Sequence, residues 1–165
     1  MLQQIFARLL GIFKELTPLI TMENFQTENS KAVYMKAKSL QGNDITPRDL
    51  IPDAVGCADA VNEVFRQALG TRVGGGASTK LMYEILEKSD RFIPVEYSLP
   101  GDIVISPTGY GNGNLPNGHV GIVGKYGIMS NNSETGFWEL NYTLVGWIKQ
   151  FRTFGGFPVR FYRVK

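Results

Sequence analysis

Leu99-Pro100-Gly101-Asp102-Ile103-Val104-Ile105-Ser106 is the stretch where the chain changes period. Leu99-Pro100-Gly101 reads as a turn, and Asp102 to Ser106 as a strand. Pro107 to Asn117 is rich in Gly, Asn and Pro and reads as a surface loop. Gly118 to Val123 is a second strand, and Lys125-Tyr126-Gly127 turns the chain into a third, Ile128 to Asn132. Glu134-Thr135-Gly136 turns it again into a fourth, Phe137 to Tyr142. Thr143 caps a short helix with Leu144, Trp147, Ile148 and Phe151, Gly155-Gly156 breaks it, and Phe157 to Val164 closes the chain as a last strand.

Upstream of residue 90 the apolar spacing is helical. Leu2, Ile5, Phe6, Leu9, Ile12, Phe13 and Leu16 form one stripe, which Pro18 ends. Arg8, Lys14 and Glu15 make it too short and too charged to span a bilayer, and no small-residue cleavage site marks it as a signal peptide. It is expected to pack on the domain; docking on a membrane surface through residues 1–16 is the less favoured reading. A second helix is expected from about Glu28 to Gln41, with Val33, Ala37 and Leu40 inward and Gly42 as its stop. Thr46-Pro47-Arg48-Asp49 has the form of a short helix start, with Thr as cap, Pro first and a carboxylate two residues later. A helix opens at Cys57 and ends near Leu69-Gly70. Gly74-Gly75-Gly76 is a flexible loop, without the Lys-Ser/Thr that a phosphate loop needs. Ser78 caps another helix with Leu81, Met82, Ile85 and Leu86 inward. Helices first and strands after predict an α+β fold: N-terminal helices followed by an antiparallel sheet of about five strands. Residues 1–20 form the amphipathic helix and 21–165 a single domain.

The 165 residues are enough for one core, and 43% hydrophobic against 19% charged content describes a folded chain. A net charge of +2 is too small to point to nucleic acid, and suits an anionic polymer such as a cell wall. One cysteine excludes an internal disulfide framework, and one cysteine with one histidine argues against a zinc site. No metal or cofactor is expected, and the chain is expected to be a monomer made in the cytoplasm.

The single thiol and the single imidazole are the candidate chemistry. Cys57 shares the inward face of Val61, Val64, Phe65 and Ala68. At a helix start it would feel the positive end of the macrodipole, which lowers its pKa. His119 lies in Gly118-His119-Val120-Gly121-Ile122-Val123, a strand. A nucleophile and base of this kind need a third residue to hold the imidazole. A turn at Lys125 places Asn131 there; a turn one residue longer places Asn132 there instead. Asn131 is favoured, with Ser130 and Ser133 as weaker candidates. The backbone N–H of Cys57 could donate to an oxyanion. The loops at 71–77 and 107–117 are expected to flank the cleft, with Tyr110, Asn112 and Asn114 as candidate substrate contacts. Glu63, Glu84, Glu96, Glu134 and Glu139 define no carboxylate pair for glycoside cleavage.

Cys57 at a helix start, Pro-Gly-Asp-Ile-Val-Ile-Ser at 100–106 and Gly-His-Val-Gly-Ile-Val at 118–123 together resemble the NlpC/P60 and CHAP cysteine peptidases and amidases, papain-like cell-wall hydrolases. The resemblance spans about residues 50–163. Gly56-Cys57-Ala58 departs from the Asp-Cys-Ser often seen in NlpC/P60 members. The resemblance implies a peptidoglycan substrate, an amide-cleaving acyl transfer, Cys57 as nucleophile, His119 as base and Asn131 as third member. The small size and basic balance resemble phage endolysins, which act on the wall. It leaves two other readings open: a silent wall-binding or virion structural relative, and another acyl-transfer enzyme on the same scaffold.

Overall fold

The computed structural model describes residues 27–46 and 55–165. The helix expected over residues 1–20, and the helix start expected at Thr46 to Asp49 beyond its first residue, lie outside the described residues. Helix α1 spans Glu28–Ser39, stopping two residues short of the expected Gln41, and begins where the Thr27 hydroxyl oxygen accepts the Ser30 N–H at 2.9 Å. It buries Val33, Tyr34 and Ala37. Strand β1 is the dipeptide Asn43–Asp44. Helix α2, Cys57–Leu69, begins at the expected cysteine and ends at Gly70. Helix α3, Thr79–Lys88, is capped by Ser78, whose Oγ accepts the Leu81 N–H at 3.2 Å. Its inward face is narrower than expected: Met82 and Leu86 are buried, but Leu81 is 51% exposed.

Strands β2 (Phe92–Val95), β3 (Ile103–Ser106), β4 (His119–Val123), β5 (Ile128–Asn131), β6 (Phe137–Tyr142) and β7 (Arg160–Val164) complete the sheet. Between the last two, Thr143 caps the short helix α4, Leu144–Trp147, which runs on as a π-helical segment, Ile148–Phe154. Among the described residues the sheet has seven strands, in the order β1-β6-β5-β4-β3-β7-β2, with every pairing antiparallel. The α+β class stands, with two corrections. The strands exceed the expected five because β1 is too short for a pattern and β2 carries Pro94, tolerated on an edge strand whose N–H need not pair. Helical structure is also not confined to the N-terminal part, since α4 and the π segment follow β6. The meander covers only β3 to β6; β7 crosses back to pair with the other side of β3.

The sheet is covered on both faces, so every residue of β3, β4 and β5 is buried. One face carries Ile103, Ile105, Val120, Ile122, Met129 and Trp138 against α1, α2 and α3. The other carries Val104, Val123 and Ile128 against Trp147, Phe151 and Phe157. Each indole also makes a polar anchor: Trp138 Nε1 donates to the Ala37 carbonyl at 2.9 Å, and Trp147 Nε1 to Ser106 Oγ at 3.0 Å.

Asp102 and Arg163 form a bidentate ion pair in this core. Arg163 Nε donates to Oδ1 at 2.9 Å and Nη2 to Oδ2 at 2.7 Å, with the two side chains 4% and 0% exposed, arginine first. The Leu99 N–H also donates to Oδ2 at 2.7 Å, and Nη2 reaches the Tyr97 carbonyl at 3.2 Å. The Gly-Asp turn is therefore a structural joint. Gly101 sits at φ +94° with α1 so near that a Cβ would fall 2.0 Å from the Ser30 carbonyl oxygen. Arg163→Met is expected to cost about 3–5 kcal/mol in urea unfolding, because it strands a buried carboxylate. The double variant Asp102→Leu/Arg163→Met should lose clearly less; an equal loss would mean that packing, not charge, accounts for the effect.

Candidate active site

Cys57 is the first residue of α2, and Gly56 before it supplies no side-chain cap. The first-turn N–H groups are thus not consumed by a capping oxygen. The backbone N–H groups of Val120, Ala58 and Cys57 itself lie near enough to the thiol to lower its pKa. Val120 is the residue after His119, so the fold brings Cys57 onto the histidine strand. It can do so because β4 and β5 pair only at Ile122↔Met129 and Val123↔Ile128, leaving the start of β4 open on that side.

His119 is 6% exposed and stands opposite Ser106 on β3. Its ring lies in an aromatic wall: stacked on Phe151 at 5.6 Å and 13°, tilted against Trp147 at 5.4 Å, and edge-on to Tyr142 at 5.8 Å. Its Nε2 is 3.1 Å from Ser130 Oγ, and Asn141 Nδ2 donates to that oxygen at 3.0 Å. Asn141 Nδ2 also donates to the Ser130 carbonyl at 3.0 Å.

Ser130 is therefore the β5 residue whose side chain meets the imidazole, while the favoured Asn131 lies on the other face of the strand. The hairpin has the longer of the two turns considered, with Gly124 to Gly127 between Val123 and Ile128. That register turns Ser130 to the His119 face and Asn131 to the other. Asn131 is 1% exposed, and a Cβ on Gly56 would lie 3.1 Å from its Nδ2, which places it beside the start of α2. Asn132 is used within the β5–β6 turn: its Oδ1 accepts the Glu134 N–H at 2.9 Å and its Nδ2 donates to Glu139 at 3.1 Å. The signal for Ser130 is a polar residue inside a buried strand; the signal for Asn141, the alternation of β6.

Burial overturns the expected activation of the thiol. Cys57 is pushed up from 9.0 to about 11 by desolvation, against the smaller lowering by the three backbone N–H groups. Desolvation pushes His119 down from 6.5 to about 4. Both groups are neutral at pH 7.

A cavity of about 290 Å³ opens over Cys57, lined also by Val55, Ala77, Ser78, Thr79, Lys80, Thr108, Asn117 and Gly118. The two expected flanking loops supply Ala77 on one side and Thr108 and Asn117 on the other. The second loop is hooked in place: Thr79 Oγ1 and Thr108 Oγ1 lie 2.9 Å apart, and Thr108 Oγ1 accepts the Gly118 N–H at 2.9 Å. Gly118 is required there, because a Cβ would fall 1.9 Å from the Ser106 carbonyl oxygen. The glycine loop, expected to be flexible, is clamped as well. Asn62, fully buried, accepts the Gly74 N–H at 2.8 Å and donates to the Gly74 and Gly76 carbonyls at 3.1 and 3.0 Å. Asn112 and Asn114 do not line the cavity; both donate to the Phe154 carbonyl, at 3.0 and 2.9 Å. Tyr110 packs edge-on to Tyr83 at 5.4 Å. Among the described residues no cluster of three or more His, Cys, Asp or Glu could hold a metal ion, and no helix is long and apolar enough to cross a membrane.

Among solved structures, the fold is similar to a chain of the type VI native effector–immunity complex Tae3–Tai3 from Ralstonia pickettii, at 18% identity and a TM-score of 0.51, over 84% of this chain and 100% of that one. No family model and no curated protein matches the sequence.

The two displaced pKa values predict a stability profile. Below 6.5 the unfolded chain takes a proton that folded His119 refuses until about 4, so stability should fall as pH drops through that window, by about 3 kcal/mol from this group. Above 9.0 the unfolded thiol ionises while folded Cys57 holds its proton to about 11, so stability should fall again as pH rises. Urea unfolding across pH should show a shallower acid limb in His119→Phe and a shallower alkaline limb in Cys57→Ala. Limbs unchanged from wild type would contradict the burial of these two groups.

Proposed function

We propose that this chain is a cysteine peptidase or amidase that cleaves an amide bond of peptidoglycan by acyl transfer, in the manner of the papain-like NlpC/P60 and CHAP hydrolases. The observation that carries the reading is the Cys57 thiol at an uncapped helix start, near the backbone N–H of Val120, the residue after His119, and opening into a cavity. The likeness of fold to a chain of an effector–immunity complex supports it, and extends the proposal to a protein partner that controls the activity. The site of action is the bacterial wall, reached by a chain made in the cytoplasm, as for an endolysin or a delivered effector.

In the proposed reaction, Ser130 engages Nε2 of His119, which leaves Nδ1 for the thiol. The neutral imidazole takes the S–H proton as sulfur bonds to the amide carbon. The carbonyl oxygen gains the negative charge and is met by the N–H groups of Cys57 and Ala58. The C–N bond then breaks, the imidazolium gives its proton to the leaving amine, and water hydrolyses the thioester. A neutral pair needs no stored thiolate, so the depressed imidazole and the raised thiol are compatible with this sequence of steps.

The alternative is a silent relative that binds the wall or a partner protein, and the burial of both groups, which disfavours their charged forms, is the observation in its favour. Mass spectrometry of muropeptides after digestion separates the two. The wild type should release new free amines, and Cys57→Ala should release none while remaining folded by circular dichroism. Activity surviving in Cys57→Ala, or absent from the wild type, would end the cysteine mechanism.

The orienting role is tested separately. Ser130→Ala should lower kcat by about ten- to a hundredfold, or about 1.4–2.8 kcal/mol of barrier. Asn131→Ala, on the other face, should affect kcat less than it affects unfolding stability. The reverse order would return the third position to Asn131.

A further inference from the structure

We propose that Lys80 is the specificity residue of the Cys57 cleft and pairs with a carboxylate that the substrate peptide carries next to the scissile amide. The inference rests on the reading of the cleft as an amide-cleaving site and adds the charge of what enters it. Among the described residues lining the cavity, Lys80 is the one permanently charged side chain. It is exposed, and among the described residues it makes no ion pair or hydrogen bond. Its stem runs along the 107–117 loop, with its Cδ 3.9 Å from where a Cβ on Gly109 would stand.

The placement works against the stability of the helix. Lys80 is the second residue of α3, whose first turn holds no acidic residue. A cation there faces the positive end of the helix dipole, where carboxylates are favoured. The first residue of α2, Cys57, opens into the same cavity. The acid in the first turn of α2, Asp59, is already answered by Arg72 at 3.1 Å. Lysine and both helix starts thus add positive potential at one place, and the described lining offers no carboxylate to balance it. A ligand carboxylate would relieve that potential, and Ser78 and Asn117 in the same wall offer uncharged hydrogen bonds to the peptide around it.

The experiment uses two synthetic stem peptides that differ only in a carboxylate beside the scissile amide, free in one and converted to a carboxamide in the other. The full chain should cleave the free acid with a kcat/KM about tenfold or more above the carboxamide, the equivalent of about 1.36 kcal/mol at the least. Lys80→Met should bring that ratio to about one, and Lys80→Arg should keep the preference. Binding of both peptides to Cys57→Ala, with and without Lys80→Met, repeats the comparison without chemistry. Equal cleavage of the two peptides by the wild type overturns the role of Lys80 and leaves the amide-cleaving reading intact. Selective binding without cleavage does the opposite, and neither binding nor cleavage sinks both.

Discussion

The contact on which most of this architecture depends is the bidentate pair between Asp102 and Arg163. It joins the turn before β3 to the end of the last strand, 61 residues away, inside a core that excludes water from both charges. Desolvating two charges is costly, and only their geometry and the added N–H of Leu99 and carbonyl of Tyr97 offset it. An ion pair of this kind discriminates among registers more than it stabilises any one of them. A one-residue slip of β7 would leave Arg163 buried without its acid and turn Tyr162 away from its core. With β7 locked on one side of β3, β4 takes the other side in the register that sets Ser106 opposite His119. The position of the imidazole is thus inherited from a salt bridge on another part of the sheet.

Within the site, burial prevails over local electrostatics. A helix start alone would favour the thiolate, by about 0.3–1 kcal/mol at an exposed position. The displacement of Cys57 from 9.0 to about 11 is larger and of opposite sign. The aromatic wall of Tyr142, Trp147 and Phe151 does the same to the imidazole, and the hydroxyl of Ser130, already accepting from Asn141, brings no charge to oppose it. Neutral hydrogen-bonding partners hold the ring in place without charging it.

Much of the fold is legible because short-range chemistry announces it. Cys57 and Gly70 bound α2, Ser78 and Thr143 are visible as caps, and β3 to β6 stand between strong turn signals. The features that escape a linear reading depend on partners distant in the chain. The two residues of β1 form a strand only because β6 lies beside them, and β2 carries a proline that its edge position excuses. That Ser130 and not Asn131 turns to the His119 face comes from a single residue of hairpin register, which a period of two converts into the opposite face of the sheet. The raised thiol is hidden for another reason: helix dipoles can be read from a linear pattern, but burial is a property of the folded whole. Asn62 likewise looks like one more polar residue on a helix, and only the fold shows it clamping the glycine loop.

The π-helical segment Ile148–Phe154 ties the aromatic wall around His119 to residue count. A π turn accommodates one residue more than an α turn, and such turns recur at functional sites. In this chain the extra residue falls after Trp147 and before Gly155, within the span that presents Phe151 to the face of His119. Deleting one residue there and restoring α geometry would rotate the downstream side chains by about 100° around the axis. Phe151 would leave the imidazole, while the sheet, its ion pair and the thiol stayed where they are. Insertions and deletions in this segment are therefore a separate dial on the site: they alter how dry the histidine is without touching any residue that carries the proposed chemistry.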